Sequence, residues 1–197
     1  MLRTAIIVLL FSNLLGCAAA LVPYTSDPKQ KISDAYWLFD QNERPLPAEK
    51  LIIEAIDIYQ TENDRVGLAE AYKAYAIFLR SSSVELYLSR YIENGFNNST
   101  IKYEDRFDAS IKFLDKSAMI YEELERYDDL TNIYLHRGYT YIANDQVFLA
   151  CASFNKSLEM NKKFIALKPD AKIVLDVFSS YEEYIDNVKQ RAKCDSV

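Results

Sequence analysis

One histidine, three cysteines and four glycines are the material this 197-residue chain offers for catalysis or metal binding. His136 lies outside any His-Glu-x-x-His context and has no cysteine near it in sequence, so the co-ligands of a metal site are missing. It reads as a polar groove or surface residue. The glycines are too few for a phosphate-cradling loop or a nucleophile elbow, and neither motif is present. Paired acids at Glu122-Glu123, Asp128-Asp129 and Glu182-Glu183 are the remaining candidates for acid–base work. Neighbours on a helix point about 100° apart, which makes such pairs solvated faces rather than a facing dyad. The expectation is a chain that performs no reaction and holds no metal or cofactor.

Composition narrows the class further. Half of the residues are apolar and 26% are charged, which excludes a disordered chain and a polytopic membrane protein. Lys and Arg number 23 against 29 Asp and Glu, a net charge of −6 with no basic run, so displacement of phosphate counterions from a nucleic acid is not to be expected. Four glycines and five prolines are too few for a turn-dense sandwich or barrel. A helical globular domain remains.

The first cysteine belongs to an address. Arg3 precedes an apolar run from Ala5 to Leu15, broken only at Ser12 and Asn13. That run is shorter than the roughly 20 residues needed to span a bilayer and has the order of a secretory signal. Its end, Leu14-Leu15-Gly16-Cys17, resembles the lipobox of bacterial lipoproteins. The resemblance implies a signal peptide over 1–16 and lipidation of Cys17, the first mature residue. It leaves 181 residues with a net charge of −7, since Arg3 goes and no acid does. Ala18 replaces the Asp that resembles an inner-membrane retention signal, so the resemblance favours the outer membrane, facing the periplasm. Residues 17–29, small, polar and carrying two prolines, read as a tether to a domain over 30–194.

The elements that follow are helical. Apolar residues recur three and four apart after Pro28, and the spacing predicts about seven helices: 28–41, 47–61, 66–80, 104–125, 128–143, 146–166 and 170–191. Pro45 and Pro47, Asn63-Asp64, Asn144-Asp145 and Pro169-Asp170 supply the breaks.

A repeat runs through them. Tyr134, Gly138, Tyr141, Ala150, Phe154 and Ser157 alternate large and small residues at spacings 0, +4, +7, +16, +20 and +23. The set Ile32, Tyr36, Phe39, Ala48, Ile52 and Ala55 has the same spacing. Halves of it recur at Tyr72, Ala76, Leu79, at Ser110, Leu114, Ser117, and at Val174, Phe178, Tyr181. This resembles the tetratricopeptide helix-turn-helix signature, in its longer-helix form, with an interval of 40 residues rather than 34. The resemblance implies an all-α, right-handed αα-hairpin repeat array. The middle interval is longer by 22 residues, which places an insertion within 81–103.

In such an array the first helix of each pair lines the inner, concave face. Stepping from the core positions gives Trp37, Asp40, Lys73, Ile77, Arg80, Leu135, Tyr139, Leu175 and Ser179 as candidate partner-binding residues; Trp, Tyr and Arg are residue types that often carry interface energy. The family's clamp for a peptide carboxyl terminus is not reproduced, because Ser33, Trp37 and Ala74 occupy three of its positions. Leu86, Tyr87, Tyr91, Ile92 and Phe96 make the insertion too apolar for a passive loop. It is expected to fold over an end of the groove and aid recognition through Tyr87, Tyr91 and Phe96, the alternative being that it covers core. For Cys151 and Cys194 two outcomes stay open. In an oxidising compartment they pair if the last helix brings them level, although a regular helix from 170 overshoots by about two turns; otherwise Cys151 is a small core residue.

Together these readings point to a lipid-anchored periplasmic module that binds another protein, as a scaffold or adaptor of an envelope assembly such as a secretion machine. The rival is an immunity protein that neutralises a toxin or lipase acting in the periplasm.

Overall fold

The computed structural model describes residues 22–171 and 177–194. Cys17 and the signal segment, Val174 and Leu175 lie outside them. Helices are the only regular elements among the described residues: α1 (Pro28–Tyr36), α2 (Pro45–Glu62), α3 (Arg65–Leu79), α4 (Ser82–Leu86), α5 (Leu88–Asn94), α6 (Arg106–Glu123), α7 (Tyr127–Ala143), α8 (Val147–Leu167) and α9 (Tyr181–Arg191). None of them is long and apolar enough to cross a membrane.

The boundaries follow from local chemistry. Asp27 caps α1 through its side chain, with Pro28 at the first helical position, where a missing N–H is harmless. Residues Trp37–Gln41 widen into a π-helical turn, and the chain leaves it through Arg44, whose N–H donates to Leu38 O at 3.0 Å. Asn63 in the left-handed region (φ 57°) ends α2, and Asp64 caps α3 by accepting from Gly67 N.

Each long helix packs antiparallel on its neighbour in sequence. Lys31 meets Glu54 across α1 and α2, and Tyr75 meets Glu49 across α2 and α3. Ser117 and Ser110 reach Ala69 O and Ala76 O across α3 and α6. Ser110 also lies 3.2 Å from Thr140 across α6 and α7, and Ser157 donates to Thr131 O across α7 and α8.

One contact occurs twice in equivalent places. Ser117 donates to the carbonyl of Ala69 at 2.8 Å, and Ser157 to that of Thr131 at 2.7 Å. Both serines are fully buried, and each is the last residue of the recurring pattern, bonded to the residue three before its first, Tyr72 or Tyr134. Volume is exchanged between the two copies: Ala76 with Leu114 in one, Gly138 with Phe154 in the other, all four buried.

At Gly138 the approach leaves no room for a side chain. A Cβ there would stand 2.2 Å from a ring carbon of Phe154, whose ring is wholly buried and cannot swing to solvent. Gly138→Leu is therefore expected to destabilise by about 1–3 kcal/mol or more, the usual range for overpacking. Thermal melting checks this: a Tm within a degree of the parent's means that α7 and α8 are not in close contact at this point.

Three expectations need correction. The last helix begins at Tyr181, not at residue 170. Ser180 caps it by accepting from Glu183 N, while the Glu183 carboxylate accepts from Ser179 N and Oγ. That reciprocal capping is a stronger start signal than Pro169-Asp170. Phe178 consequently precedes the helix instead of lying inside it. The later start also removes the overshoot at Cys194. Lys162 bonds Glu182, and eleven residues further along each chain stand Cys151 and Lys193. Cys151 and Cys194 are joined as a disulfide, with Cα atoms 5.7 Å apart. Of the two readings of the insertion, core coverage is the one the structure matches: the segment contains α4 and α5 and contributes Val84, Tyr91 and Phe96 to the core.

Candidate functional site

The residues expected on the inner face that the structure describes lie on the turn after α1, along α3 to its end, on α7 and just before α9. Trp37 and Asp40 sit on the π-turn that ends α1 and are exposed; Asp40 accepts from Gln41. Lys73, Ile77 and Arg80 follow one stripe of α3 and are partly buried. Tyr139, on α7, is partly buried as well. The structure brings Arg80 and Tyr139 together, with the guanidinium carbon 5.7 Å from the ring centroid. Leu135 is drawn away into a second core with Ala150, Phe154, Tyr181, Ile185 and Val188. Ser179 is exposed and serves the start of α9 by bonding Glu183. Leu175 lies outside the described residues.

Sequence reasoning missed the groups that bind this stripe together. Arg80 Nη2 lies 2.9 Å from His136 Nδ1, so the imidazole accepts there and carries its proton on Nε2. Burial, with Arg80 and then Lys73, pushes the His136 pKa down to about 3, so this imidazole is neutral throughout the ordinary pH range. Lys73 pairs with Glu70 at 2.6 Å, and Glu70 also accepts from the Tyr121 hydroxyl. The Tyr36 phenol is held well above its usual pKa by burial and by Glu70, with Arg80 acting the other way. Tyr139 and Tyr184 share a hydrogen bond of 2.7 Å between hydroxyls. The only advance signal for His136 was its place beside Leu135 on a first helix.

The insertion residues divide between the two readings given for them. Tyr91 and Phe96 are buried, stacked at 4.4 Å between centroids, with their faces against the edge of Phe78 or the reverse at about 6.5 Å. Side chains so covered cannot meet a partner, because their apolar area is already spent on Phe78. Tyr87 is exposed, as are Leu86, Leu88 and Ile92.

Glu49 ties the insertion to α2. It is 1% exposed and accepts from the Tyr75 hydroxyl at 3.0 Å and from Asn97 N at 2.8 Å. Burial raises its pKa from 4.5 to about 7, against the lowering effect of those hydrogen bonds. Protonation thus favours the fold. This contribution is complete below about pH 4.5, is lost as pH climbs through 7, and is flat above, with a span on the order of 3 kcal/mol. Urea titrations should therefore show Glu49→Gln to have a shallower fall in stability between pH 4.5 and 7 than the parent; parallel curves would place the Glu49 carboxylate in water.

Among the described residues no group of three or more His, Cys, Asp or Glu is arranged to hold a metal ion. Comparisons with protein-family models, curated proteins and solved structures found no match. The chemistry of the site must be argued from its own residues. A guanidinium over a phenol ring, a neutral imidazole and a lysine–glutamate pair present donors and aromatic surface, which is equipment for recognition.

Proposed function

We propose that the chain is a membrane-anchored protein-binding module of the cell envelope, built as a tetratricopeptide-like superhelix, that recruits another protein and carries out no reaction. The observation that carries this reading is the repeated serine-to-carbonyl contact at Ser117 and Ser157, which falls at matching positions of two pattern copies although 22 extra residues separate the helices of one of them. The same contact inside two successive units is what a repeated unit predicts, and arrays of such units use their inner face as an extended binding surface. The row Lys73, Ile77, Arg80 and Tyr139 offers that face mixed aliphatic, aromatic and cationic character. Lipidation at Cys17 supplies the anchor.

Two experiments test the parts separately. Cys17→Ser is expected to abolish fatty-acid labelling and detergent partitioning in a bacterial host; labelling equal to the parent's ends the lipobox reading. A photo-crosslinking residue at position 77 or 139 should trap a membrane or periplasmic protein, whereas one at the half-buried outer position 156 should not. Trapping from 156 alone, or from none, refutes the inner-face reading. The trapped protein also decides the role: an assembly component fits the adaptor, a secreted toxin or lipase the immunity protein.

A further inference from the structure

Three arginines carry an Nε that is buried without a hydrogen-bond partner: Arg80, Arg106 and Arg137. Two of them are neutralised by carboxylates, Arg106 by Glu85 at 3.2 Å and Arg137 by Asp115 at 2.9 Å. Arg80 is not. Its hydrogen bond within the described residues goes to His136 Nδ1, a neutral acceptor, and its guanidinium carbon lies 5.7 Å from the Tyr139 ring centroid. Burial pulls its pKa down, and the groups that work against this are the phenols of Tyr139 and Tyr36 rather than any acid. A guanidinium does not give up its proton inside a protein, so the cation stays desolvated and uncompensated.

The surroundings define what would compensate it. Glu70, the acid on the same stripe of α3, is engaged by Lys73 and by the Tyr121 hydroxyl. His136 orients the guanidinium by accepting from Nη2, while its own Nε2–H leaves the far side of the ring. The site therefore offers one unpaired positive charge, which matches a monoanion. A dianionic phosphate would call for a second free cation, and Lys73 is already paired.

We propose that Arg80, at the end of α3 and held in place by His136 of α7, forms a carboxylate-binding site on the inner face that takes an Asp or Glu side chain of the protein partner. With Nε buried and one Nη2 hydrogen given to His136, the outer Nη1–Nη2 edge is the part of the guanidinium left for a carboxylate, and the bond to His136 fixes that edge. The inference rests on the inner-face reading above but is tested without a partner, so the two fail in different experiments: that reading in crosslinking, this site in solution with a small carboxylate.

His136 is the only histidine of the chain, so its imidazole NMR signals need no assignment strategy. Sodium acetate is titrated into the full chain at neutral pH, with sodium chloride holding ionic strength constant, and parallel titrations use sodium chloride alone and sodium phosphate. A saturable shift of the His136 ring signals with acetate, absent with chloride, is the expected result. Arg80→Gln should remove it and Arg80→Lys should weaken it, a lysine keeping the charge without the fork. An equal response to chloride, or a linear drift without saturation, overturns the site. Tighter saturation by phosphate than by acetate overturns the carboxylate assignment. If Arg80→Gln fails to fold, the contrast between acetate and chloride on the parent chain decides the matter alone.

Discussion

Excising residues 84–100 and bridging the gap with a short Gly/Ser segment is expected to abolish cooperative unfolding. The segment removes Val84, Tyr91 and Phe96 from the core, exposed by only 0%, 1% and 4%. It also strips Phe78 of the two rings against its edge and face and takes the Asn97 N–H from buried Glu49. Truncating one buried aromatic costs about 3–5 kcal/mol, and the whole stability of a domain is typically about 5–15 kcal/mol. Far-UV circular dichroism should retain helix at low temperature but melt broadly, without a sigmoidal transition. A sharp melt close to the parent's would mean that α4 and α5 are dispensable appendages. A paired control separates surface from core: Leu86→Ser and Ile92→Ser, both at exposed positions, should shift stability by no more than about 0.5 kcal/mol.

The second large effect concerns the disulfide. Cys151 and Cys194 close a loop with a sequence separation of 43, for which the chain-entropy treatment gives about 4 kcal/mol. The loss should not be spread evenly. Helix α9 is held by Tyr181, Ile185 and Val188 against Leu135, Ala150 and Phe154, a core much smaller than the one that runs from α1 into α7 and α8. Cys151→Ser with Cys194→Ser, or reduction of the parent, should therefore accelerate amide exchange in 181–191 well before α2, α3 and α6 respond. Uniform acceleration across the chain would show that α9 is part of one cooperative unit. No change at all would mean that the bridge adds nothing to what packing already provides.

Much of this was legible in the residues themselves. Six helices lie within a few residues of where apolar periodicity puts them, because Pro28, Asn63-Asp64 and Asn144-Asp145 are strong local punctuation. The recurring large–small pattern identified Gly138, Ala150, Phe154 and Ser157 as packing positions, and burial of the last three is complete. The start of α9 was legible too, in Ser180-x-x-Glu183, but Pro169 offered a competing start and helical periodicity carried across it. The sequence leaves the insertion between two readings, recognition and core, for a different reason. Apolar content alone cannot say whether a segment faces a partner or its own core, and the partner of Tyr91 and Phe96 is Phe78, on a helix that the sequence pattern had already filled. Arg80 with His136 was out of reach for the same kind of reason. They are 56 residues apart, and a pair of two bases has no pattern of its own.

The antiparallel packing of every long helix on its predecessor bears on how the chain acquires this structure. Most contacts close short loops, so topology places little entropic barrier in the way, and folding is expected to be fast for a chain of this size. A chain appearing amino-terminus first can dock each helix on one already in place, with α1 and α2 receiving α3 before the rest has emerged. Two steps break that order. Asn97 must find Glu49, 48 residues back, before the aromatic cluster is closed. Cys151 must wait for Cys194 on the far side of α9, so its thiol is the last group to find its mate and the one exposed longest to the wrong one.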